Sequence, residues 1–172
     1  MTKSKSEFDL LVIGGGSNGA GIAADAAGRG LSVALLEKGD LACATSSWSS
    51  KLIHDGLRYL ENYQFGLVRK SLKEREVLTK AAPHLVTPLA FQIPMLPESR
   101  SAILLRCGLF LYDSLAKRKH YEASRAVRYC ADSPLKASIR KGFEYWDAQV
   151  DDSRLVVVNA LQAKQRGAVI LT

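Results

Sequence analysis

The chain has 172 residues, 47% apolar and 24% charged, which suits a globular protein with a real core and excludes a disordered or low-complexity chain. Its 24 basic residues against 17 acidic ones give a formal charge of +7, which favours an anionic partner without naming one. The three cysteines, Cys43, Cys107 and Cys130, are widely spaced and form neither a C-x-x-C pair nor a Cys/His cluster, so neither a disulfide framework nor a metal site is supported and a reducing compartment is expected.

In chain order, the opening MTKSKSEFD is charged but leads into no signal-type apolar region, so export is not expected. Leu10 to Ile13 is a short apolar run that predicts a buried strand. Asn18 to Ala27 is small and helix-compatible, Gly28 and Gly30 end it, and Ser32 to Leu36 predicts a second buried strand, which makes a βαβ unit. Between Tyr63 and Ala82, Val68, Leu72, Arg75 (through its stem), Leu78 and Ala82 recur at helical spacing. Lys70/Glu74 and Glu76/Lys80 stand on the outer side, and Pro83 is the stop. The stretch TPLAFQIPMLPE reads as extended, and Arg100 to Lys119 as helical. Asp151 or Asp152 can cap a helix that runs through Lys164 and closes at Gly167, after which AVILT predicts a third strand of the opening sheet. One compact unit is expected.

The glycines carry the first chemical signal. Gly14, Gly16 and Gly19 form G-x-G-x-x-G directly after a strand and at a helix start. There the first permits a tight turn, the second lets backbone approach a pyrophosphate, and the third lets helix and strand pack closely. Free N–H groups and the positive end of the helix dipole then stabilise a diphosphate without a lysine, and Asn18 belongs to the same cofactor-binding turn. Glu37, at the end of the second strand, can accept hydrogen bonds from both ribose hydroxyls of an adenosine and repels a 2′-phosphate, which disfavours NADP. The unit leaves NAD and FAD both open.

The next stretch, KGDLACATSSWSSKLIHDGLRYLE, puts a hydroxyl-rich loop around Thr45, Ser46, Ser47, Ser49 and Ser50 where a plain nicotinamide domain has a helix, and follows it with His54, Arg58 and Tyr59. No G-x-S-x-G elbow is present, so a nucleophilic hydrolase is not supported. Together with DLLVIGGGSNGAGIAADAAGRGLSV, LKEREVLTKAAPHL, GLFLYDSLAKR and KGFEYWDAQVDDSRLVVVNA, this loop resembles the amino-terminal part of the FAD-dependent glycerol-3-phosphate dehydrogenases, respiratory enzymes that pass electrons to quinone. The likeness covers essentially the whole chain.

That resemblance implies an α/β, Rossmann-like FAD-binding domain of the two-dinucleotide-fold type, truncated. The glycine-rich unit spans 8–37, an FAD and substrate loop 38–61, and a helical segment 62–166. It also implies that Ser46, Ser47, Ser50, Lys51 and Leu52 lie along FAD, that His54 and Gly56 approach its ring system, and that Arg58 and Tyr59 face the phosphate or glycerol end of the substrate. The implied reaction moves the C2 hydride of sn-glycerol 3-phosphate to flavin, giving dihydroxyacetone phosphate, and the electrons then reach quinone. On residue type alone, an arginine such as Arg58 is more often a solvated surface residue and a lone histidine such as His54 more often a structural hydrogen-bonding one. Two departures stand out. The family pattern SSKLIHGGLRYLE has glycine where this chain has Asp55, which adds bulk and negative charge beside the implied flavin. Family members are also much longer, so the chain reads as an amino-terminal fragment without activity of its own.

Ala102 to Tyr112 is apolar apart from Arg106 and Gly108, too short to span a bilayer, and bracketed by Arg100 and by Lys117, Arg118 and Lys119. An interfacial helix and a core helix are both open readings. The resemblance implies a cytoplasmic protein held peripherally on the inner face of the cytoplasmic membrane, and a homodimer in the full-length form. Scattered charge gives nucleic-acid binding little support. The alternatives to the dehydrogenase are another FAD oxidoreductase of this fold acting on an amine or hydroxy acid, an NAD-dependent dehydrogenase, and a non-catalytic membrane-associated fragment.

Overall fold

The computed structural model describes residues 7–53, 57–60, 62–98, 101–130 and 132–172. Its elements in order are β1 (Leu10–Ile13), α1 (Ser17–Gly28), β2 (Val33–Leu36), β3 (Leu52–Ile53), α2 (Leu57–Leu60), α3 (Phe65–Ala81), β4 (Val86–Pro94), α4 (Ala102–Ser114), β5 (Arg125–Arg128), β6 (Lys141–Val150), α5 (Asp152–Gln165) and β7 (Val169–Leu171). They form two compact units, Met1–Lys51 with Asp151–Thr172, and Leu52–Val150, so the expectation of one unit is corrected.

The first unit is a parallel sheet in the order β1-β2-β7, with Leu10 opposite Val33 and Ala34 opposite Val169. The closing strand thus joins the opening sheet as the sequence predicts. Alanines make this unit tight: Ala23, Ala24, Ala26 and Ala27 of α1 pack with Val12, Val33, Leu35 and Ala163, and their short side chains let helix and sheet approach closely. A second cluster joins Ala20 and Ala42 to Val156 and Ala160 of α5. Asp151 caps α5 by accepting from the Arg154 N–H at 3.1 Å, which resolves the choice between the two aspartates. The reading of β1 as a fully buried strand is corrected. Only Val12 is buried there, whereas Leu11 and Ile13 are 54% and 83% exposed. In the pairing register these two share a face with Val169 and Leu171, which are also exposed.

The second unit is antiparallel. Strand β6 is its centre, with β4 along one edge from Val86 opposite Val150 to Pro94 opposite Gly142, and with β3 and β5 in succession along the other. Residues 62–166 are therefore not a helical segment throughout: three strands lie between the helices. The physical reason is that β6, KGFEYWDAQV, carries its two acids inward, where each meets an arginine. Glu144 pairs with Arg125 at 2.7 Å and Asp147 with Arg75 at 3.3 Å.

Helix α3 buries Val68, Leu72, Arg75 and Thr79, and packs Val68 and Leu72 against Tyr112 of α4. The expectation that only the stem of Arg75 is buried is corrected, because the whole side chain is 1% exposed. Its guanidinium donates to the Trp146 carbonyl (3.0 Å), the Tyr112 hydroxyl (3.3 Å) and Asp147, and lies 3.9 Å from the centre of the Tyr121 ring. Glu76, read as an outer-face residue, is also largely buried. It accepts from the Lys119 N–H at 2.9 Å and pairs with the His120 ring at 2.6 Å, tying the loop after α4 to α3. Burial pushes the Glu76 carboxyl up, but these hydrogen bonds outweigh it and leave the group below its ordinary value. Helix α4 is shorter than the predicted 100–119 span, and Ser99 and Arg100 lie outside the described residues.

Candidate functional site

The glycine turn adopts the geometry its spacing predicts. Gly14 has φ +110°, a conformation that favours glycine, and its N–H donates to the Leu36 carbonyl at 2.7 Å, which sets the turn against the end of β2. A side chain at Gly19 would place its Cβ 1.9 Å from the Gly14 carbonyl oxygen, so α1 can approach the strand this closely only because the third glycine has none. Gly16 sits at the N-cap of α1 with no side-chain cap of its own, and Asn18 stands exposed in the first turn. The start of α1 is thus exposed at Ser17 and Asn18, where the positive end of the helix dipole favours negative charge.

Three bonds from the following segment converge on this turn. Glu37 Oε2 accepts from the Gly15 N–H at 2.6 Å and Oε1 from the Gly39 N–H at 3.0 Å, and these two bonds hold the carboxyl below its ordinary range. Each oxygen keeps a further lone pair for a ribose hydroxyl. The Ala42 N–H donates to the Gly15 carbonyl at 3.0 Å, and Ser46 Oγ accepts from the Ser17 N–H at 2.9 Å. Ser46 lies so close that a Cβ on Gly16 would meet its hydroxyl at 3.0 Å. The structure thus brings Gly14, Gly16, Gly19, Glu37 and Ser46 together around one helix start. A carboxylate, backbone amides and a hydroxyl are the donor and acceptor set that the adenosine and pyrophosphate end of a dinucleotide requires.

The rest of the serine loop is anchored from α5. Ser47 Oγ donates to the Ala42 carbonyl, Ser49 Oγ donates to Asp152 Oδ2 at 2.5 Å, and the Lys51 ammonium donates to Asp152 Oδ1 and to the Ser47 carbonyl at 2.8 Å. Ala42 and Lys51 have φ near +60° without being glycines, so the loop holds a conformation that these bonds must maintain. Lys51 spends its charge on Asp152, and Ser50 is exposed. Sequence reasoning missed Asp152 in this role: it was read only as a candidate cap, and its loop partners lie some hundred positions away.

The remaining predicted residues belong to the other unit. Leu52 is half-buried in β3, and Tyr59 is 45% exposed on α2. His54, Asp55 and Gly56 lie outside the described residues, as does the Arg58 side chain. A shallow apolar groove of about 340 Å³ in that unit is lined by Ile53, Leu67, Lys70, Ser71, Glu74, Arg75 and Leu78. The charges of Lys70 and Glu74 offset each other there, and Arg75 is paired with Asp147.

Residues 9–172 match the family described as FAD dependent oxidoreductase. The chain belongs to that family. This decides FAD over NAD, the choice that the βαβ unit left open. Among relatives, the glycerol-3-phosphate dehydrogenase of Pseudomonas aeruginosa is 61% identical over 165 residues, covering 96% of this chain and 32% of that protein. The D-erythritol 1-phosphate dehydrogenase of Brucella abortus is 56% identical over 167 residues, covering 95% and 33%. The solved structure of the Bacillus halodurans glycerol-3-phosphate dehydrogenase complexed with FAD superposes with a TM-score of 0.66 at 31% identity, over 98% of this chain and 27% of that one. The chain thus spans about a third of the length of the curated relatives it matches. The motif resemblance and the relatives agree on the same kind of FAD oxidoreductase.

Proposed function

We propose that the protein oxidises sn-glycerol 3-phosphate at C2 to dihydroxyacetone phosphate with FAD and passes the electrons to quinone, this chain supplying the wall that holds the adenosine and pyrophosphate end of the cofactor. The observation that carries the reading is the 61% identity to the Pseudomonas aeruginosa enzyme over 96% of this chain. Bound FAD supplies the two-electron acceptor for the hydride that leaves C2. The amides at the start of α1 stabilise the diphosphate, Glu37 accepts the ribose hydroxyls, and Ser46, Ser47, Ser50, Lys51 and Leu52 line the cofactor beyond it. Asn18 stands beside the same diphosphate. His54 and Gly56 approach the ring, while Arg58, whose planar fork can hold two phosphate oxygens, and Tyr59 receive the substrate.

Electron delivery to a lipid-soluble quinone needs membrane contact. Among the described residues no helix is long and apolar enough to cross a membrane, but α4 presents Ile103, Leu104, Phe110 and Leu111 exposed along one stripe while Leu109 and Tyr112 are buried on the other. That stripe, with Lys117 and Lys119 exposed just beyond it, is suited to lie at the surface of an anionic bilayer from the cytoplasmic side.

The Brucella abortus relative supports a second substrate of the same class, since D-erythritol 1-phosphate extends the glycerol backbone by one hydroxylated carbon. Dye-linked turnover decides between them, measured on a chimera that joins residues 1–172 to the remaining two thirds of the Pseudomonas aeruginosa relative. Higher kcat/KM for sn-glycerol 3-phosphate supports the first reading, and higher kcat/KM for D-erythritol 1-phosphate replaces it with the second.

A further inference from the structure

We propose that Asp152 is a positioning residue of the cofactor site: through Ser49 and Lys51 it holds the serine loop over the glycine turn, and so sets how tightly FAD is retained without touching FAD. The inference rests on the proposed placement of the cofactor along that loop and adds to it a residue from the far end of the chain.

Two adjacent aspartates begin α5, and the structure gives them different tasks. Asp151 caps the helix, which leaves the neighbouring carboxylate available. The Asp152 side chain is only 13% exposed, and both oxygens are engaged: Oδ2 accepts from the Ser49 hydroxyl at 2.5 Å, and Oδ1 from the Lys51 ammonium and from its neighbour Ser153 N–H at 2.8 Å. Burial raises the Asp152 carboxyl, but the bonds from Lys51, Ser49 and Ser153 outweigh it and hold the group at about 2, so it is fully ionised at neutral pH.

From this carboxylate an unbroken series of bonds reaches the glycine turn. The Lys51 ammonium also holds the Ser47 carbonyl at 2.8 Å, the Ser47 hydroxyl holds the Ala42 carbonyl, and the Ala42 N–H holds the Gly15 carbonyl at 3.0 Å. Ser46, the next residue along, accepts from the Ser17 amide at the helix start. Lys51 and Ala42 both sit at positive φ, a region L-residues populate only when their surroundings enforce it. Releasing Asp152 removes two restraints at once, and the loop is then free to relax away from the helix start where the diphosphate binds.

The test uses the chimera loaded with FAD. Asp152→Asn keeps the shape and removes the charge, and it is expected to raise the FAD dissociation constant about tenfold, the scale of one lost charge-assisted hydrogen bond. Lys51→Met is expected to have a similar effect, and the double variant to be no weaker than the worse single one, because the two act as a unit. Should Asp152→Asn fail to fold, Ser49→Ala combined with Lys51→Met breaks the same link from the loop side. A purely structural role predicts a lower apoprotein Tm with an unchanged dissociation constant, and that result overturns the proposal. Glu37→Ala serves as the reference. If it weakens FAD while the Asp152 and Lys51 variants do not, positioning is refuted and the cofactor placement stands. If Glu37→Ala also leaves FAD affinity unchanged, the placement itself is wrong and the positioning role falls with it.

Discussion

Replacing Gly19 with alanine tests the glycine turn where its geometry is most demanding. The added Cβ would lie 1.9 Å from the Gly14 carbonyl oxygen and 3.4 Å from Val12 Cγ1, and real Cβ atoms are not found within 3.0 Å of such a group. Helix and strand must therefore part by about 1 Å, and the backbone oxygen cannot swing aside as a side chain would. That separation opens the seam between Val12 and the alanines of α1, for which overpacking of this kind costs about 1–3 kcal/mol. It also moves the first-turn amides away from the place proposed for the diphosphate. Gly21, two residues on in the same helix, has nothing within 4 Å of its Cβ position, so Gly21→Ala should stabilise the helix by about 0.5–1 kcal/mol and leave FAD binding intact. Thermal melts of the apo and FAD-loaded chimera, with an FAD titration, read both effects. A Gly19→Ala variant that melts and binds like the parent, or a Gly21→Ala variant that is equally damaged, refutes the reasoning.

Arg75→Met keeps most of the buried volume but leaves the Asp147 carboxylate without its cation, and should cost the Leu52–Val150 unit about 3–5 kcal/mol, seen as a lower denaturant midpoint by tryptophan fluorescence; adding Asp147→Asn should recover part of the loss. Because the Asp152 carboxyl is depressed in the folded chain, its contribution is fully present above its ordinary value of 3.8 and is lost as pH falls through about 2. The difference in FAD retention between the parent and Asp152→Asn should therefore shrink across that acid window and stay constant from pH 5 to 8. Co-sedimentation with anionic vesicles should weaken with salt, with Lys117 and Lys119 neutralised, and with Phe110→Ser; salt-insensitive binding, or none, would place α4 against protein. Arg118 is left out of that set because it is held by Asp113 at 2.5 Å and supports the loop.

The βαβ unit was legible because each residue type there has one dominant reason to be present: an apolar run, three glycines at fixed offsets, small alanines, then an acid at a strand end. Helix α3, with its 3.6-residue stripe and Pro83, was legible on the same terms, as was α5 between Asp151 and Gly167. Strand β6 was not. Its Glu144 and Asp147 break the apolar alternation that marks a strand, and only the fold reveals that Arg125 and Arg75 neutralise them. Arg75 itself looked amphipathic in a one-dimensional pattern, since nothing in the sequence places Tyr121 and Trp146 around its guanidinium. The candidate site divides in the same way. Local spacing exposes the glycine turn and Glu37, whereas the clamp from Asp152 depends on pairings between distant segments that no local pattern records.

The reading proposed above is that this chain helps to hold the FAD that oxidises sn-glycerol 3-phosphate. Its most direct test is the flavin absorbance of the purified chimera, read anaerobically before and after sn-glycerol 3-phosphate is added, beside the 172-residue chain alone. The account predicts near-stoichiometric flavin that the substrate bleaches in the chimera, and weak retention without bleaching in the isolated chain. A folded chimera whose flavin sn-glycerol 3-phosphate leaves oxidised, or an isolated chain that binds a full complement of flavin and is bleached by the substrate, would contradict it.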